Sequence, residues 1–273
     1  MDLGKPSGAE QAPGLSVFRH ALNNDLALLW GIVIVAWVLT ILSAATGQEH
    51  LLHNDTLIKP HHFPLLPRLL LFLATWQVMT AAMMLPSTLP MVRLFAKASR
   101  EQSQPKLLLL TFLGAYATVW TGFALVAFIG DIGLQALVHH WQWLHHHPWM
   151  IAGSTLVLAG GFQFSSLKEQ CLNACRHPFS FLTHHYQRGF QAAWNLGVRH
   201  GLYCLGCCWA LMLVMFAVGV GHFTWMIALT AVMTLERTWK QGREIVPIVG
   251  VAFLVWGALV LLNPSWLSNL SAF

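Results

Sequence analysis

Long apolar runs set the terms on which this chain can fold. They recur near Leu26–Ala45, Leu66–Phe95, Lys106–Gly130, Trp149–Phe164, Ala192–Val220, Phe223–Glu236 and Val246–Leu262. About 20 apolar residues wound into a helix cross the hydrocarbon of a bilayer. Only 9% of the residues are charged, against about 25% in soluble domains. A surface so poor in charge is expected to meet lipid. The expected fold class is all-α, a polytopic transmembrane helix bundle of about seven helices. The sixth run is short. The second is long and carries Pro86 and Pro90, so a kink is expected there. With no domain boundary or internal repeat in view, the expected organisation is a cytoplasmic tail over 1–25 and one transmembrane domain over 26–273.

The basic residues orient these spans. Arg93, Lys97, Arg100 and Lys106 follow the second run, Lys168, Arg176, Arg188 and Arg199 the fourth, and Arg237, Lys240 and Arg243 the sixth. By the positive-inside rule these three connections are cytoplasmic, with the N-terminus inside and the C-terminus outside. The first 25 residues are polar and hold no short apolar core with a small-residue cleavage site, so the first run is expected to stay as a span. A pI near 9.1 comes from these connections, without the basic stripe of a nucleic-acid binder.

Histidine gathers in the outward connections, expected as loops over 46–65 and 131–148. His50, His53, His61 and His62 fall in the first, His139, His140, His145, His146 and His147 in the second, and His222 in the third. Neutral imidazole binds copper, zinc and nickel, so these tracts are candidates for outer metal capture. Trp141, Trp143 and Trp149 stand beside the second tract, and histidine is equally at home in such an interfacial aromatic belt.

Sulfur gathers inside the fifth run. On a helix His200, Cys204 and Cys207 share one face at i, i+4, i+7, with Cys208 beside it and Met215 beyond. Thiolates and thioethers select Cu(I), and a Cys/His set also serves zinc. Packing is the competing reading, because Cys buries well and Gly201 and Gly206 favour close helix approach. In the second run Met79 and Met83 lie one turn apart, just before Pro86, and offer a second soft wall; Met226 and Met233 are weaker candidates. Cys171, Cys175 and His177 form a possible cytoplasmic metal or thiol site. Glu236 is expected as a surface carboxylate near Arg237 and Lys240.

These residues resemble a bacterial family of predicted metal-binding integral membrane proteins, whose domain is otherwise of unknown function. The resemblance runs from about Leu66 to Leu262. It rests on Trp76, Met79, Ala82, Met83, Met84 and Pro86, then Lys168, Cys171, Cys175, Arg176 and Pro178. It is sharpest at Gly197, His200, Gly201, Tyr203, Cys204, Gly206, Cys207, Cys208, Trp209 and Met212. Gly219-Val-Gly-His222 departs from it, where a Met-Asn pair is expected at 221 and 222. The resemblance implies a metal-binding protein of the bacterial inner membrane and says little about a reaction.

The leading reading is a copper-handling membrane protein that transports, senses or delivers the ion to a cuproprotein or metallochaperone. His200, Cys204, Cys207, Cys208, Met79 and Met83 are its expected ligands, and no catalytic residues are expected. A thiol–disulfide electron relay through Cys204-Leu-Gly-Cys207 is the second reading. Against it stands the lack of another buried cysteine pair in the sequence. A non-catalytic subunit of a membrane complex is the third. A two-histidine haem site between spans lacks a second ligand.

Overall fold

The computed structural model describes residues 13–45, 64–218 and 223–263, and every regular element among them is helical. In chain order these are α1 (Pro13–Ala45), α2 (Leu65–Ala98), α3 (Pro105–His140), α4 (Pro148–Phe162), α5 (Ser166–Arg176), α6 (Pro178–His185), α7 (Phe190–Val218), α8 (Phe223–Thr238) and α9 (Gly242–Leu262). A single turn, Gln142–His145, joins α3 to α4. Proline opens α3, α4 and α6, where the missing N–H costs nothing. The Ser165 side chain caps α5 by accepting from the Lys168 N–H.

The all-helical class agrees with the apolar runs, but the number of spans differs. Four helices are long and apolar enough to cross a membrane: α2, α3, α7 over Phe190–Met215, and α9. The pair α4 and α5 passes the same test together but bends by 64° at its break, and the described apolar part of α1 is only Leu29–Ser43. Helix α8, with 16 residues, is shorter than these four and carries Glu236 and Arg237 in its last turn. Unpartnered Leu, Ile and Val side chains, among them Ile34, Leu70, Val126 and Ile248, cover the outside of α1, α2, α3 and α9.

Other boundaries also move. Helix α1 begins at Pro13, inside the stretch expected as a tail. Helix α3 runs on to His140, so residues 131–140 are helix rather than outer loop. Its apolar register simply persists through Ile132, Leu134 and Leu137. No break occurs at Pro86 or Pro90, and α2 passes through both. On the turn between them, Ser87 and Thr88 each donate a hydroxyl to the Met84 carbonyl at 2.9 Å. Such side-chain bonds let a buried helix carry proline. His50, His53, His61, His62 and His222 lie outside the described residues.

Small residues let the helices close on one another. A methyl on Gly160 of α4 would stand 2.8 Å from the Gly250 carbonyl of α9, so the two backbones touch there. One end of the bundle is held by polar bonds among the three basic connections. Gln102 donates to the Tyr186 hydroxyl at 2.9 Å, which donates to the Ala98 carbonyl at 2.6 Å. Arg176 donates to the carbonyls of Glu236, Trp239 and Lys240 at 2.5, 2.8 and 3.0 Å, closing the C-terminus of α8. Arg243 pairs with Glu169 on the same end.

Candidate metal centre

The fifth apolar run is helical throughout the sulfur-rich stretch, and its thiols face the core. Cys204, Cys207 and Cys208 are each at most 2% exposed. All five cysteines are free. Cys207 and Cys208 both reach back to the Cys204 carbonyl, at 3.1 and 2.9 Å. That places two thiols on one turn of α7, directed at the same point.

Four other helices build the wall around them. From α2, the Met84 thioether lies 3.9 Å from the Cys208 sulfur. From α3, the Tyr116 hydroxyl lies 3.0 Å from the Cys204 sulfur, with Thr88 behind it. From α5, Cys171 packs against Gly206: a methyl on that glycine would stand 2.5 Å from the Cys171 sulfur. Cys175, half-buried one turn on, lies beside Cys207. From α8, Arg237 enters the core and is only 6% exposed. It donates to Ser87 Oγ at 2.8 Å, to the Cys204 carbonyl at 3.1 Å, and to the Cys207 and Cys208 sulfurs at 3.1 and 3.3 Å.

The expected residues are thus only partly brought together. Met79 and Met83 are buried in the same core, but Met84 is the thioether that touches a thiol. Met212, Met215, Met226 and Met233 fill that core as well. His200 is buried among the rings of Phe112, Tyr116 and Phe181, with ring centroids 5.8–6.0 Å away, and its Nε2 has no hydrogen-bond partner among the described residues. Tyr116 stands between it and Cys204. Among the described residues no three His, Cys, Asp or Glu side chains are already set at metal-binding spacing. Cys171 and Cys175 lie beside the α7 thiols, because α5, bent by 64° from α4, packs against Gly206. His177 is left exposed between α5 and α6.

Outer histidines show a different setting. His147 stacks on Trp143 at 4.5 Å and meets Trp149 edge-on, with Nδ1 2.5 Å from the Trp143 carbonyl. His139 and His140 end α3, and His146 is exposed. The side chain of His145 lies outside the described set.

Glu236 is the clearest correction. It is no surface carboxylate: it is 2% exposed and pairs with Lys168 at 2.7 Å, while Gln163 donates to it at 3.3 Å. Lys168 and Arg237, expected in basic connections, are both buried. Their signal was in the spacing. Met226, Leu229, Met233, Glu236 and Arg237 follow the 3-4 period of one buried face, and Lys168, Cys171 and Cys175 do the same on α5.

This buried face coincides with what the chain shares with other proteins. A family model described as a copper chaperone, PpoB2, matches residues 73–260. The chain belongs to that family. No curated protein and no solved structure matches it. The region matched in the PpoB2 family holds all five cysteines, Met84, Lys168, Glu236 and Arg237, and stops short of the histidines at 50–62.

Proposed function

We propose that this protein sits in the bacterial inner membrane, with α1, α4 and α8 completing about seven spans, and carries Cu(I) as cargo for a partner cuproprotein. The observation that carries this reading is the clustering of the Cys207 and Cys208 thiols on the Cys204 carbonyl, with the Met84 thioether against Cys208, in the buried core of a copper chaperone family member. Thiolate and thioether sulfur prefer Cu(I) over harder ions. Free thiols hold the ion only after losing their protons, so loading releases protons to water. Zn(II) is the competing ion.

Cys175 and Cys171 give the ion its way out. A metal held by Cys207 exchanges onto the neighbouring, half-buried Cys175 without crossing apolar space. That route leads to the basic end of the bundle, which the positive-inside rule places in the cytoplasm. The histidines at 50–62 and 139–147 collect the ion on the opposite side. Met79, Met83 and His200 line the approach rather than the resting site.

Metal content tests this reading. Protein purified in mild detergent without oxygen and loaded with Cu(I) is expected to retain about one copper per chain under competition from a weak chelator. Replacing Cys204, Cys207 and Cys208 by Ser should remove it while the helical signal persists. Unchanged copper in the triple variant would sink the proposal. No copper in the wild type, with a titratable Cys204/Cys207 disulfide, would establish the thiol relay instead.

A further inference from the structure

The charges buried around the thiols do not cancel. Lys168 and Glu236 form one ion pair, both side chains at most 2% exposed, and together contribute no net charge. Arg243 and Glu169 form the other ion pair among the described residues, at the surface. Arg237 makes neither. It is 6% exposed, and its four hydrogen-bond acceptors are a serine hydroxyl, a peptide carbonyl and two cysteine sulfurs. A guanidinium keeps its proton in any protein environment. A buried full charge is normally paired or coordinated. With neutral thiols the buried set of Lys168, Glu236 and Arg237 sums to one positive charge.

We propose that Arg237 is the counter-cation of an anionic metal–thiolate centre, and that it fixes the charge of the complex the pocket accepts. The inference rests on the reading that the α7 thiols carry Cu(I). Loading converts Cu(I) and two cysteine thiols into a bis-thiolate complex of charge −1, with two protons passing to water. No electron moves, and copper stays Cu(I) throughout. The centre and Arg237 then sum to zero. Met84 adds a thioether without adding charge. Arg237 donates to the Cys207 and Cys208 sulfurs and to the carbonyl that orients both, so it also holds the pair of ligands in register. Arg237 is thus a positioning residue: it acts on the ion through the two sulfurs.

Copper(I) affinity, read by competition with a Cu(I) chelator on the full-length protein in detergent, separates this from a structural role. Arg237→Gln is expected to lose about 30-fold or more in affinity, the loss typical when one partner of a buried charge pair is removed. Arg237→Lys is expected to recover most of that, because it restores the charge without the fork. Ser87→Asp keeps Arg237 and puts a carboxylate beside it, in place of the hydroxyl that now accepts from Arg237 at 2.8 Å; it should weaken Cu(I) like Arg237→Gln, and it covers the case in which the glutamine variant does not fold. Wild-type affinity in Ser87→Asp or Arg237→Gln overturns the inference and leaves the copper reading standing. A wild type that takes up no Cu(I) overturns both.

Discussion

At the scale of single residues, the decisive groups are the ones with charge to hide. Lys168 and Glu236 meet at 2.7 Å with almost no exposure. Removing one partner of such a pair strands the other, at a cost of about 3–5 kcal/mol, whereas replacing both by apolar groups is often neutral. Glu236→Leu alone should therefore lower the thermal midpoint of the detergent-solubilised protein by many degrees. The double variant Lys168→Met with Glu236→Leu should recover most of the loss. A double variant no better than the single would show that the pair contributes more than mutual neutralisation. The thiols were legible in the sequence because three cysteines in five positions stand out at any register. Arg237, Glu236 and Lys168 were not, because a charge next to a predicted span end reads as topology. Only their spacing from Met233 and Cys171 marks them as inward-facing. Tyr116 had no distinguishing signal of its own, and Met84 stood out only through the family resemblance, since aromatic and thioether side chains fill helix cores everywhere.

At the scale of elements, glycine decides which helices can meet. Gly206 admits the Cys171 sulfur against the α7 backbone. Gly206→Ala should push α5 outward, cost about 1–3 kcal/mol by overpacking, and separate Cys175 from Cys207. Cross-linking Cys175 to Cys207 with a short thiol reagent would read the change: efficient in the wild type, much reduced in the variant. Unaltered cross-linking would mean that α5 is held by Arg176 and Lys168 alone. Helix existence followed from the apolar runs, and the α2, α3, α7 and α9 spans correspond to runs seen in the sequence. Their ends did not. Helix α3 extends past Gly130 to His140 because Asp131–His140 holds no proline and its single glycine, Gly133, is accommodated within the helix. The bend of α4 into α5 was equally hidden, since Gln163–Ser165 carries neither proline nor glycine.

At the scale of the whole molecule, the basic connections at 98–104, 163–189 and 238–243 lie together at one end, joined by Tyr186, Gln102, Arg176 and Arg243. That arrangement is what alternating positive loops require. Reporter fusions at Gln104 and Lys240 are accordingly expected to report the cytoplasm, and one at Trp141 the outside. An external readout at Gln104 would invert the topology and the direction assigned to the cargo.

The Lys168–Glu236 pair also has a consequence for how the chain is made. Lysine emerges from the ribosome 68 residues before the glutamate that neutralises it. Until then α5 carries an unmatched ammonium, and lipid rejects such a segment. Helix α5 must therefore wait at the aqueous boundary while α7 is inserted, and dock only when α8 arrives. The thiol cluster is then complete only once α8 is made, closed by the same event that brings Arg237 to Cys207.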